Sequence, residues 1–261
     1  MEDNEKIKIK ANIKKLRAID PVLPRDFMNF YGTYSSSTIE DYEKSFERVL
    51  KGENFVRFLQ ARKEPITVID LMSPTDVLAS LFAQLPEKHK KGLAVGMSDM
   101  RSFSKENKGQ RDADLNIDYI SNTPSNKDLG DISQNITWQE IDRWLAGQKA
   151  DLIVERAEAG LFSVPHMDLF YRTFIQRIWD RLDDNGGMFV GQTLPAEQFK
   201  SFGINLLEWV QNAKQEGIDV DYQEGTVPWQ SGRKVQLAGA LRIVKHPGSP
   251  NLLPHFPVQG A

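Results

Sequence analysis

The 261-residue chain has no cysteine. That excludes disulfides, thiolate metal sites and a cysteine nucleophile together. It also fits a reducing compartment, and the cytoplasm is the expected location. The opening stretch MEDNEKIKIKANIKKLR is charged throughout and has no apolar signal core. No apolar run approaches the roughly 20 residues needed to span a bilayer, so no membrane association is expected. A surplus of positive charge is also missing. Lys and Arg number 33 against 36 Asp and Glu, a net charge of −3, so the chain carries no global basic field for gripping nucleic acid. The four histidines lack metal-ligand spacing, and no metal is expected. P-loop, GxSxG and GxGxxG patterns are all absent, and the last absence argues against a nicotinamide-dependent oxidoreductase.

What is present describes a folded globular chain: 40% of residues are hydrophobic and 26% charged. Lys6, Lys8, Lys10, Lys14, Lys15 and Arg17 form a basic cluster that reads as a solvated terminus, with a basic arm for RNA or an acidic partner as the alternative, and Asp20–Pro24 reads as a turn-rich linker. The expected organisation is an N-terminal extension over 1–37, one domain over 38–246 and an irregular tail over 247–261. Tyr42, Phe46, Val49 and Leu50 recur at helical spacing within 38–64, with Ser37 or Thr38 as the cap. Ile66, Val68, Ile69 and Leu71 form a short, mostly β-branched run, as in a strand buried on both faces. Helix 77–85, a strand over 92–97, a strand over 116–121 and a helix opened by a Thr137–Glu140 capping box follow. After them come a strand over 150–155, a helix over 167–182, a strand over 187–194 and a helix over 199–217 interrupted at Gly203. Two closing strands, 218–225 and 234–246, sit close enough together for an antiparallel finish. This alternation predicts an α/β fold, doubly wound, with a mostly parallel sheet and helices on both faces.

In such sheets ligands bind at the carboxyl ends of the strands. The acidic residues at or near those ends are Asp70, Asp99, Asp131 and Glu155. A carboxylate after the second strand suits two ribose hydroxyls, and a helix start after the first strand offers N–H groups. Together they predict a nucleoside-sized pocket. His166 is a candidate general base in the loop after the fourth strand. Trp138, Trp144 and Trp179 fall on helices and read as packing residues.

From about Thr38 to His246 the chain resembles the class I S-adenosylmethionine-dependent methyltransferases. The residues that carry the likeness are VIDLMSPTD, GLAVGMSDMR, GDIS, ADLIVERAEAG, LDDNGGMFVGQ and the closing pair IDVDYQEG and KVQLAGALRIVK. The resemblance implies a seven-stranded sheet in the order 3-2-1-4-5-7-6 and S-adenosylmethionine as cofactor. It implies a cofactor site drawn from Asp70, Met72, Ser73, Pro74, Asp99, Met100, Asp131 and Ile132. Asp99, or Ser98 one residue earlier, would hold the ribose and Asp131 the adenine amino group, with Glu155 and His166 on the acceptor side. The acceptor, a small molecule or a macromolecule, is not specified. The fourth motif lacks the D/N-P-P-Y/F tetrad of amino-methylating DNA enzymes, so DNA is not the expected acceptor. The family's first loop reads D-x-G-x-G-x-G, whereas Met72, Pro74 and Asp76 stand at the glycine positions here. The alternative expectation is therefore a catalytically inactive relative acting as an interaction module.

Overall fold

The structure is a computed structural model that describes residues 38–72, 76–85, 88–96, 114–121, 125–126, 128–156, 167–201, 203–228 and 235–257. The basic cluster, the 20–24 linker, Ser73, Pro74, Ser98, Asp99, Met100 and His166 lie outside them.

Helix α1 spans Ile39–Leu50. Thr38 caps it: its side chain accepts from the Asp41 N–H, and the Asp41 carboxylate accepts from the Thr38 N–H. The amphipathic stretch is not one helix. Lys51 turns left-handed at φ 54°, Gly52 follows at φ 86°, and α2 (Phe55–Gln60) starts afresh with Asn54 as its cap. Strand β1 (Ile66–Leu71) is buried along its whole length, which follows from its apolar run and its interior position. Helix α3 spans Asp76–Ala83, β2 Lys90–Val95 and β3 Ile117–Ile120. Helix α4 spans Asn135–Leu145, β4 Leu152–Glu155 and α5 Met167–Trp179. Strand β5 spans Gly187–Thr193, α6 Ala196–Lys200 and α7 Leu206–Gln215. The break between α6 and α7 falls around Gly203, at φ 79°. Strands β6 (Asp219–Pro228) and β7 (Val235–Lys245) close the fold as an antiparallel pair.

The expected Thr137 capping box does not form. Helix α4 starts at Asn135, and its N-cap, Gln134, lies three residues ahead of Thr137 and makes no side-chain cap bond. Thr137 lies inside the first turn, where its hydroxyl accepts from the Gly130 N–H at 3.0 Å and donates to the Asp128 carbonyl at 3.3 Å. A tertiary loop contact has taken the hydroxyl that a local cap would have used.

The seven strands lie in the order β3-β2-β1-β4-β5-β7-β6. β3, β2, β1, β4 and β5 pair in parallel, and β7 pairs antiparallel with both β5 and β6. Strand alternation divides the core between the two faces. Ile66, Val68, Leu152, Val154, Met188 and Val190 pack under α1, α2 and α3. Ile69, Leu71, Leu93, Ile153, Phe189 and Ile243 pack under α4, α5 and α7. Each such buried aliphatic or aromatic side chain contributes about 1.5–3 kcal/mol. Among the described residues no helix is long and apolar enough to cross a membrane.

Candidate functional site

The parallel register sets which strand ends share a neighbourhood. Asp70 lies beside Ala94 of β2 and Val154 of β4, and Leu71 lies beside Val95 and Glu155. Asp70 and Glu155 are therefore out of phase and face opposite sides of the sheet. The fully buried Asp70 points toward the α1 layer, where the Tyr42 hydroxyl donates to its Oδ1 at 3.2 Å. Glu155 is equally buried on the other face. There its charge adds to burial in holding the Tyr171 phenol well above its ordinary pKa; burial is the larger cause.

Met72 follows β1 directly. Its N–H donates to the Val95 carbonyl at 2.6 Å, and its backbone turns left-handed at φ 66°. Few non-glycine residues adopt this conformation. The first glycine position of the resemblance thus keeps a glycine-like backbone while carrying a methionine. The Met72 side chain is buried in the cluster that contains Leu71, Val95, Ile132 and Trp138.

The loop carrying Asp131 and Ile132 docks on the end of β2. Gly130 takes φ 87°, and a Cβ there would run into the Gly96 carbonyl oxygen just beyond that strand. The Trp138 indole N–H holds the Ile132 carbonyl at 2.7 Å. The Asp131 carboxylate is buried and accepts from the Ser133 N–H at 2.8 Å. Burial raises its pKa above the ordinary aspartate value, hydrogen bonds from Ser133 and Gln134 oppose the rise, and the charge of Asp128 adds to it.

Met72, Asp131 and Ile132 are thus brought to one neighbourhood at the ends of β1 and β2. Asp70 lies on the far side of β1, and Glu155 lies one strand over. Trp138 and Trp179 are buried in the core as expected, and the partly exposed Trp144 packs against it while its indole N–H donates to Asp118 at 2.7 Å. Sequence reasoning did not single out Tyr42 or Tyr171 as neighbours of the strand-end carboxylates. Nothing local marked Tyr42 or Tyr171.

A cavity of about 560 Å³ opens at the opposite, amino end of the strands, lined by Arg62, Thr67, Gln148, Asp151 and Asp183 among others. Arg62 donates to Asp151 at 2.8 Å, to Asp183 at 3.1 Å and to the Asn185 carbonyl at 2.6 Å. The Thr67 N–H takes the second Asp151 oxygen at 2.9 Å. These groups satisfy one another and tie the end of α2 to the starts of β1, β4 and β5. Ligands of parallel sheets bind at the other end.

No family model and no curated protein matches the chain. Solved structures do. The N-methyltransferase NodS from Bradyrhizobium japonicum WM9, in complex with S-adenosylhomocysteine, is similar at 12% identity over 91% of this chain and 98% of that one, with a TM-score of 0.41. Precorrin-6y C5,15-methyltransferase from Geobacter metallireducens GS-15 is similar at 11% identity over 73% and 84%, TM-score 0.39. An O-methyltransferase family protein from Burkholderia thailandensis is similar at 14% over 79% and 59%, TM-score 0.42. The strand order is the one the resemblance implies. Likeness at these values carries nothing about activity. The fold rests on the sheet order and the antiparallel closing hairpin.

Proposed function

We propose that the chain is an S-adenosylmethionine-dependent methyltransferase whose domain spans 38–246, between an N-terminal extension and a C-terminal tail. The observation that carries this reading is the order β3-β2-β1-β4-β5-β7-β6, with the left-handed turn at Met72 and the buried Asp131 flanking the ends of β1 and β2. A tight backbone turn beside a buried carboxylate suits a nucleoside that carries an amino-acid arm. Met72, Ser73 and Pro74 would hold that arm, with Asp70 buried beneath the turn and bonded to Tyr42; Asp99 and Met100 would hold the ribose, and Asp131 and Ile132 the adenine. When bound, the cofactor supplies a methyl group on a sulfonium for in-line displacement. The protein's work is then to orient the acceptor and exclude water. Glu155 and His166 would stand on the acceptor side, with His166 as the candidate base. The acceptor is a small molecule or a macromolecule other than DNA.

A second reading, an interaction module without cofactor, draws on the buried Met72 side chain and on Pro74 and Asp76 at the other glycine positions. Calorimetric titration with S-adenosylmethionine and S-adenosylhomocysteine separates the two. Micromolar binding is expected, weakened about tenfold in Asp99→Ala, where the ribose hydroxyls lose a charged acceptor. A folded sample that binds neither compound would overturn the first reading and direct the search to a protein partner.

A further inference from the structure

Along β5, Met188, Val190 and Gln192 point to the face covered by α1. The first two belong to its apolar core. Gln192 continues that row at the carboxyl end, where it is 3% exposed, and among the described residues neither its Oε1 nor its Nε2 has a hydrogen-bond partner. Buried side-chain amides are ordinarily paired, because an orphaned one forfeits its bonds to water. Its neighbours follow from the register. Gly191 pairs with Glu155, so Gln192 lies beside Arg156, the buried residue that follows β4. On its other side it faces Ala240 of β7, which in turn faces the exposed Gln223 of β6. The row Arg156–Gln192–Ala240–Gln223 crosses the sheet at the end where ligands of this architecture bind, on the α1 face, so an acceptor seated over the strand ends would meet Gln192 from one face and Glu155 from the other. Arg156 already has partners of its own. The unfilled bonding capacity is that of the neutral amide.

We propose that Gln192 selects the methyl acceptor by pairing its amide with a planar, neutral group that carries an N–H beside a C=O, such as a carboxamide or lactam edge. This deepens the methyltransferase reading and rests on it. A primary amide presents a donor and an acceptor side by side, and such a group returns one bond to each. A carboxylate would satisfy only Nε2 and set its negative charge against Oε1.

The test uses full-length protein labelled with ¹⁵N in its glutamine side chains, followed by NMR. S-adenosylhomocysteine, benzamide and its isostere benzoate serve as probes. Benzamide is expected to move the Gln192 NH₂ signals and to bind about tenfold or more tighter than benzoate, as for sites built to pair a specific polar group. In Gln192→Met the benzamide affinity should fall about tenfold, while S-adenosylhomocysteine binds as in wild type. That variant loses a buried orphan amide and should unfold no earlier than wild type. Should it fail to fold, Gln192→Glu decides: an acceptor-only side chain must turn the preference from benzamide to the donor-rich benzamidine. Benzoate binding as tightly as benzamide, or a sample that binds S-adenosylhomocysteine but leaves the Gln192 signals unmoved by benzamide, overturns the proposal. A Gln192-dependent benzamide response without S-adenosylhomocysteine binding keeps the amide site and defeats the methyltransferase reading instead.

Discussion

Met72 reverses the usual order of substitution costs. Its φ of 66° costs an L-residue roughly 1–2 kcal/mol and glycine almost nothing. Its buried side chain stabilises the core beneath α4 and α5 and offsets that cost. Met72→Ala and Met72→Gly both remove the packing, but only glycine relieves the backbone. Urea unfolding should therefore find Met72→Gly about 1 kcal/mol more stable than Met72→Ala, against the ordinary preference for alanine. The opposite order would mean that the turn is not left-handed in solution. Asp131 makes a second prediction at this scale. Its folded pKa is raised, chiefly by burial, so the folded state holds the proton more tightly than the unfolded chain. Its contribution to stability is present below the ordinary aspartate pKa and is lost as pH rises through the raised value. Asp131→Asn should thus be more stable than wild type near neutral pH, with the gap closing in acid. If Asp131 takes the adenine amino group, cofactor affinity in wild type should rise with pH through the same range, and Asp131→Asn should flatten that dependence. Thermal unfolding and calorimetry across the pH range read the two effects.

At the scale of elements, the loop ahead of α4 shows how a local signal is redirected. Thr137 and Glu140 have capping-box spacing, yet the Thr137 hydroxyl bridges the Gly130 N–H and the Asp128 carbonyl. This bridge and the Trp138–Ile132 bond hold the Asp131 loop against the end of β2. Thr137→Val keeps the shape and orphans a buried N–H, which costs about 1–3 kcal/mol. The expected result is a destabilised protein with weakened S-adenosylhomocysteine binding, measured by urea unfolding and calorimetry. An unchanged midpoint would mean that water replaces the bridge. The break between α1 and α2 has a plainer cause. Gly52 and the Asn54 cap lie within one amphipathic pattern, and the left-handed Lys51–Gly52 pair ends the first helix where periodicity alone would carry it on.

At the scale of the whole molecule, the segment after β7 is irregular in backbone but bound to the body. Phe256 is buried and stacks on Trp209 with centroids 4.7 Å apart and planes 17° from parallel. The carbonyls of Pro250, Pro254 and Phe256 accept from Trp179, Trp209 and Arg172 at 2.8, 2.9 and 2.8 Å. The segment straps α5 to α7 on the face opposite α1. Phe256→Ala should cost about 3 kcal/mol, by loss of a buried ring and the cavity it leaves. Urea unfolding followed by tryptophan fluorescence measures this, and a midpoint equal to wild type would show that the strap adds nothing.

The sequence by itself determined the strands, their buried or edge character and the closing hairpin, because alternation and β-branched runs are local properties of the chain. The continuous apolar run of β1 marked an interior strand, and the motif likeness supplied the sheet order. It also put Asp70 and Glu155 at strand ends, since a strand end is a local feature too. Only the tertiary structure decided which way these two face: Asp70 toward Tyr42 and α1, Glu155 toward Tyr171 on the other side. One residue of register reverses a side chain's face, and register is a relation between strands that no single segment encodes. The same holds for Gln192. Its type and position could be read in advance, but its orphaned amide exists only once β4, β7 and α1 have closed around it.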